Sequence, residues 1–314
     1  MFVMMNEARL GTGMQGFGFA TASYINAVNY ARERVQGTDL LKMFDKNPES
    51  VPIIKHPDVR RQLISMKAYV EGMRTLLYYT GLLFDKENLA KDEQEKARHK
   101  GLIELLTPIL KAYCTDRSFE VCAQGVQVYG GYGYIREYPQ EQLLRDCKIT
   151  SIYEGTNGIQ AMDLLGRKLG MNRGKPFMDL LGEMNKTITA AKEIDSLASM
   201  AEKCEIAVNR LGEVAMHMGM TAMSEQALNA FAAAHPFLDI TGDVIMAWFH
   251  LWRAVVAAPK IEKAKKKDVA YYQGQVSTAD YFITCHIPGT LGKMNALTTN
   301  YTPVMEMPEA AFIG

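Results

Sequence analysis

The stretch QVYGGYGYIREYPQEQLLRDCKITSIYEGTNGIQAMDLLGRKL, residues 127–169, decides how the chain is read. It opens on a glycine- and tyrosine-rich loop over 130–139. The pattern then predicts a short helix over 141–147, a turn over 153–156 and a further helix over about 157–169. Glu154 falls on the turn, just ahead of that last helix. Gly155 lets a ligand approach the backbone closely, and Thr156 or Asn157 is placed to cap the helix. Ile152 and Tyr153 are bulky and apolar; a carboxylate sheltered by them loses hydration, and its pKa rises toward that of a useful base. The helix N-terminus pulls the other way. From these residues alone two readings stand: Glu154 as a general base, or Glu154 as an ordinary N-terminal capping acid.

Working outward, the pattern is helical almost throughout. Val59, Leu63, Met66, Val70, Met73, Leu77 and Thr80 follow one another in steps of four and three, the signature of a buried helix stripe. Asp58 follows Pro57, where a first-turn carboxylate is favourable. Residues from about 5 to 34 read as a helix rich in small residues. A third runs from about 91 to 129, with a bend expected at Pro108. Residues 47–57 carry three prolines and read as a loop. After Gly170 comes the linker-like MNRGKP, then helices at about 176–219, 222–234, 238–258 and 262–285. No strand pair and no internal repeat is evident. The predicted fold is all-α, two helical bundles spanning 1–170 and 171–314.

Gly11, Gly13 and Gly16 form a literal GxGxxG. A dinucleotide fingerprint needs a strand before it and a second strand ending in an acid about 20 residues on. Here NEAR precedes it and VNYARERVQ follows, both helix formers, so the glycines read as a close helix contact. Composition excludes other classes. Lysine plus arginine total 35 and aspartate plus glutamate total 35, which disfavours nucleic-acid binding. The lysine-rich segment 260–267 reads as a solvated helix end. The five dispersed cysteines and the six histidines lack metal-ligand spacing, and the cysteines fit a reduced, cytoplasmic setting. His217 reads as a core histidine. No apolar run reaches the ~18 residues of a membrane span, and MFVMMNEARL has no leader-like design. Its apolar opening hints at a missing upstream partner.

The ordered series of a QxxGGxGY-type loop, a YPxExLxRDxKI helix and the IYEGTxxIQ turn resembles the signature of the acyl-CoA dehydrogenase family. MNEARLGTGMQGFGFATASYINAVNYARERVQG resembles the first helix of that family's C-terminal domain, and PIIKHPDVRRQLISMKAYVEGMR resembles the branch with an additional C-terminal helical domain. The resemblance covers essentially the whole chain, with 1–170 as the family's C-terminal-type bundle and 171–314 as the additional domain.

The resemblance implies a two-electron oxidation of an acyl-CoA to a trans-2-enoyl-CoA with FAD as hydride acceptor. It makes Glu154 the base, with its backbone N–H on the thioester carbonyl. Arg34, Gln36, Gln127, Gly130, Gly131 and Thr156 match FAD-contacting positions, in part across a subunit interface. Asn6, Arg9, Tyr153 and Gly155 match substrate-side positions, Tyr153 lining the acyl channel. It further implies reoxidation by an electron-transfer flavoprotein and a homo-oligomer, a dimer being favoured. The N-terminal helical domain and middle β-domain of the family are not in this sequence, so they are expected from the same or a partner polypeptide. The pattern departs from the family at Gly37, where an aromatic is usual, and at Gly158. The rival readings are a split subunit and a non-catalytic scaffold of the same fold; a protein that had lost the activity would typically have lost Glu154.

Overall fold

The computed structural model describes residues 2–42, 44–299 and 302–313. The apolar opening at residues 1–4, read as the mark of an upstream partner, lies outside the described side chains. The first half is built on three long helices, α1 (Phe2–Glu33), α2 (Pro57–Leu89) and α3 (Glu93–Tyr129). Between α1 and α2 the chain does pair: β1 (Val35–Thr38) and β2 (Ser50–Pro52) run antiparallel with an irregular register. That strand pair corrects the strand-free reading. The segments are too short to show a period-two pattern.

Helix α2 starts on Pro57, whose missing N–H costs nothing at the first position, and ends at Ala90 in extended backbone. The Asp92 side chain caps α3 by accepting from the Gln94 N–H at 3.2 Å. Helix α3 continues through Pro108 and stops at Gly130, which takes φ 61°. Gly13 and Gly16 of α1 make the close contact expected of them, whereas Gly11 has open space where a Cβ would stand. A Cβ on Gly13 would lie 2.9 Å from the Leu110 carbonyl oxygen and one on Gly16 3.2 Å from the Thr115 Cα, so small residues let α1 lie directly on α3.

Short α4 (Gly131–Tyr134), α5 (Pro139–Lys148) and α6 (Asn157–Asp163) follow. Ser23 of α1 donates to Gln140 Oε1 at 2.7 Å, and Gln140 Nε2 donates back to the Ser23 carbonyl at 3.0 Å, which fixes the start of α5 against α1.

The second half adds α7 (Lys175–Lys192), α8 (Ala198–Ala222), α9 (Ala227–Ala232), α10 (Ala234–Ala257), α11 (Lys266–Tyr281) and α12 (Ile287–Leu297), with the short α13 (Pro303–Glu306) last. The helix expected over 176–219 is two helices, because Ile194 is extended between them. Helix α10 is the hub, apolar nearly all round, and it packs on α2, α3, α6, α7, α8, α11 and α12.

At its centre Asp243 is fully buried. It accepts from the Tyr113 hydroxyl at 2.7 Å and from Thr290 at 2.8 Å, and it lies 3.2 Å from His286 and 3.9 Å from Arg117. Burial alone would raise its carboxyl pKa; His286, Arg117 and Tyr113 outweigh that and hold it below the usual carboxylate value.

His217 is exposed on α8, flanked in phase by buried Val214 and Met218, which corrects its core assignment. The core histidine is His250, whose ring lies 3.0 Å from the Ala68 carbonyl and whose pKa burial drops to about 3. Lys260–Lys267 forms a turn and the first residues of α11, with the lysines exposed as expected.

Candidate active site

The turn after α5 is locally determined. A 3-10 turn over Ile149–Ser151 is followed by bonds from the Ile152 and Tyr153 N–H groups to the Ile149 carbonyl, at 2.9 and 3.2 Å. The backbone then enters left-handed space at two consecutive residues, Glu154 at φ 57° and Gly155 at φ 87°. Glycine adopts this freely; a glutamate there carries strain of about 1–2 kcal/mol. Thr156 ends the turn as the cap of α6, its hydroxyl accepting from the Ile159 N–H at 3.3 Å. Non-glycine residues held at positive φ are over-represented at functional sites, and this one coincides with the candidate base.

What holds the turn is buried beneath it. Asn157 is 4% exposed and fully engaged. Its Oδ1 accepts from Lys111 Nζ at 2.8 Å. Its Nδ2 points at the Ala112 carbonyl, Thr115 Oγ1 and Asp116 Oδ1, at 3.1, 2.9 and 2.8 Å. Lys111 is wholly buried in α3. Burial chiefly, and then the charge of Arg9, lowers its pKa to about 8 against the opposing pull of Asp116 and Glu154. Arg9 in turn pairs with Asp163 of α6 at 3.7 Å, both side chains nearly buried. Asp116 also lies 3.0 Å from His235 at the start of α10, so the second half of the chain reaches this site.

Two side chains under the turn retain unused polar atoms. The Gln160 amide is buried with neither Oε1 nor Nε2 partnered, as is Arg9 Nε. A Cβ on Gly155 would lie 2.6 Å from Gln160 Nε2. Gly155 therefore answers to a close approach as well as to its φ.

The sheltered pocket expected around Glu154 is not formed by the described residues. Glu154 is exposed, and Ile152 and Tyr153 are 51% and 37% exposed. The buried side of the turn is taken by Ser151, Asn157 and Gln160, which leaves the apolar flanks on its outer side. Tyr153 lies against α1, its hydroxyl donating to Gln15 Oε1. Met14, next to Gln15, and Ile159 and Met162 of α6 are exposed as well, so the surroundings of the turn carry an apolar rim. Asn6 sits one turn before Arg9 on α1, half-buried.

The remaining sequence candidates gather elsewhere. Arg34, at the C-terminal end of α1, lies over the Tyr132 ring at 5.4 Å, and Tyr30 stacks on Tyr129 at 4.0 Å. Gln36, Gln127, Gly130 and Gly131 are exposed, the glycines with open space where a Cβ would stand. The Gln36 carbonyl accepts from the His56 ring at 2.7 Å. Gly37, the departure from the family pattern, takes φ 71°, and a Cβ there would lie 3.3 Å from His56. A large side chain at that position would be strained, so the local backbone accounts for the glycine.

Along α1 the two clusters are far apart. From Gln15 to Arg34 is 19 residues, or ~28 Å at 1.5 Å per residue. The first cluster offers a carboxylate beside apolar surface. The second offers a guanidinium with no carboxylate partner among the described residues, open glycine backbone and stacked rings.

The sequence reading missed Lys111, Asp163, Gln160 and Gln15. Lys111 had one signal, a lone charge inside the apolar run ILKAYC.

Comparison with known proteins identifies the family. The family model for the acyl-CoA dehydrogenase C-terminal domain matches residues 2–169, and one described as acetyl-CoA dehydrogenase C-terminal like matches 180–308. A butyryl-CoA dehydrogenase of Syntrophomonas wolfei is 33% identical over 317 residues, covering 100% of this chain and 51% of the relative. A 3-methylmercaptopropionyl-CoA dehydrogenase of Ruegeria pomeroyi is 38% identical over 291 residues, covering 90% of this chain and 47% of the relative. An acyl-CoA dehydrogenase from Bacillus anthracis, solved with FAD, superimposes with a TM-score of 0.65 at 20% identity, covering 99% of this chain and 51% of that one, and shares its fold. The chain thus spans about half the length of the curated relatives it matches.

Proposed function

We propose, from the premise that this chain belongs to the acyl-CoA dehydrogenase family, that it carries the base of an FAD-dependent α,β-dehydrogenation of an acyl-CoA thioester. The observation that supports this reading is Glu154 itself. It is held in left-handed backbone beside an apolar rim, on a turn tied down by Asn157 and Lys111. Its carboxylate takes the α-proton, and its backbone N–H donates to the thioester oxygen, where negative charge develops as that proton leaves. Tyr153 and Gly155 border the acyl chain, and Asn6 and Arg9 support the substrate side of the turn.

When bound, FAD would supply the acceptor for the β-hydride, completing the trans-2-enoyl-CoA. Arg34, Gln36, Gln127, Gly130 and Gly131 would hold it through its anionic and ring portions, with Thr156 near the reacting end. Because the Arg34 cluster lies ~28 Å along α1 from Gln15, the two clusters of one copy serve different parts of the assembly. A dimer in which each copy's Arg34 cluster serves its partner's Glu154 is part of the proposal. So are the division into 1–170 and 171–314, the domains that would cover the apolar rim, and reoxidation by an electron-transfer flavoprotein.

The test is Glu154→Gln in the whole protein. Turnover of an acyl-CoA should fall at least ~100-fold, the scale of a lost general base, while flavin absorbance is retained. Undiminished turnover would refute the assignment of the base.

A further inference from the structure

A second concavity lies well away from Glu154, where α2, α10 and α11 meet. It has a volume of about 590 Å³, within the range of small-molecule sites. Its walls are largely aromatic. Tyr79 meets Trp248 and Trp252 edge-on at 5.2 and 6.1 Å, and Trp252 stacks parallel to Trp248 at 5.9 Å. On its open side Tyr78, Leu82, Val256 and Tyr271 are 72, 44, 49 and 63% exposed, a concentration of apolar surface that costs solubility unless it is used.

Its charge is one-sided. Arg253 and Lys260 line it, and no lining residue is acidic. Arg253 is already neutralised by Glu71 at 2.8 Å and bonded to Gln275. Lys260 is different: it has no carboxylate partner among the described residues and sits 5.9 Å over the Tyr272 ring. It opens the lysine-rich segment 260–268, which holds five lysines against Glu262 and Asp268 alone. That segment looks like plain solvated surface in the sequence. In the fold its first residue, Lys260, lines an aromatic trough.

We propose that this trough binds a monoanionic amphiphile, a carboxylate with an apolar tail of about a dozen carbons. The tail lies along Tyr79, Trp252 and Val256, and the acid group pairs with Lys260. A neutral apolar ligand would leave Lys260 unused, and a cationic one would meet it as a like charge. The site is separate from the Glu154 turn and owes nothing to the reaction proposed there.

Of the two tryptophans in this sequence, Trp252 lines the trough and Trp248 stacks behind it, so their emission reports occupancy. The full chain is titrated with dodecanoate, and in parallel with dodecyltrimethylammonium, below their micelle concentrations. Emission and calorimetry are read together. Saturable one-to-one binding of dodecanoate with a change in emission is expected, at least tenfold tighter than the cation. Lys260→Glu should weaken it at least tenfold, and Lys260→Arg should keep it. Lys260 is exposed, so these variants fold. Equal binding of the two amphiphiles, indifference to Lys260→Glu, or no binding at all overturns the proposal. A carboxylate that binds without moving tryptophan emission sits at another site and overturns it as well.

Discussion

Replacing Asn157 with alanine removes the fastening of the glutamate turn, and its cost can be worked from the contacts. The lost Nδ2 group has two protons to share among the Ala112 carbonyl, Thr115 Oγ1 and the Asp116 carboxylate, and two such hydrogen bonds are together worth about 2 kcal/mol. The lost Oδ1 strands Lys111 Nζ, a charge-assisted partner worth about 1.5–3 kcal/mol. That second loss is limited. Lys111 already has its pKa lowered to about 8, so at neutral pH it can shed its proton for ~1.4 kcal/mol per unit. The sum is roughly 3 kcal/mol, which lowers the melting temperature by about 4–5 °C for a chain this long. Urea unfolding should show a lower midpoint at unchanged slope. Turnover in the whole protein should fall with it, because a loosened turn no longer presents Glu154 in left-handed backbone. A stability loss under ~1 kcal/mol together with undiminished turnover would show that the buried pin does not hold the site.

Gly155→Ala should cost more than its single methyl implies, about 2 kcal/mol or above, because it adds a Cβ at φ 87° and drives it toward Gln160 Nε2; circular-dichroism melts and turnover check it together. Asp243→Asn leaves Arg117 buried without its full carboxylate set and should cost about 3–5 kcal/mol by chemical denaturation, an amount too small to measure being the refuting result. Because the Asp243 pKa is depressed, its contribution is present above the unfolded value of 3.8 and is lost as pH falls through the lower folded value; wild type and Asp243→Asn should therefore converge in stability at acid pH. Lys111 has a linkage of the same sign in a more alkaline window, although here it is burial of the charged form that lowers the pKa. With its folded pKa at about 8 and its unfolded one at 10.5, the unfolded chain binds the extra proton between them, so its contribution to stability improves as pH rises through that window. Wild type should gain on Lys111→Met from pH 8 to 10.5, and a flat difference would count against a buried charged lysine.

Much of this architecture is written in local pattern. The stripe on α2, the proline and aspartate that open it, the small residues on α1 and the threonine cap of α6 act over one or two turns, and a single sequence carries that information. The candidate turn was legible for the same reason, since Glu154, Gly155 and Thr156 are consecutive. What escaped depends on distance or on phase. Lys111 finds Asn157 across 46 positions and Tyr113 finds Asp243 across 130, and nothing local announces either. His217 and His250 look alike as letters on apolar helices; only the packing of α10 at the hub buries one of them. The left-handed backbone at Glu154 was hidden because glutamate rarely adopts it, and the side to which Ile152 and Tyr153 turn follows from that backbone.

Helix α1 carries Arg9 near one end and Arg34 just beyond the other, with no loop between to absorb an error. It works as a ruler with an angular scale as well as a linear one. Inserting or deleting one residue between Gln15 and Tyr30 would shift the far cluster by ~1.5 Å, a tolerable amount, and swing it around the axis by ~100°, an intolerable one. Only changes of about a full turn would restore its bearing. The length of this helix should therefore be as constrained as the identity of Glu154, and a one-residue change in it should disable both clusters while leaving every side chain in them intact.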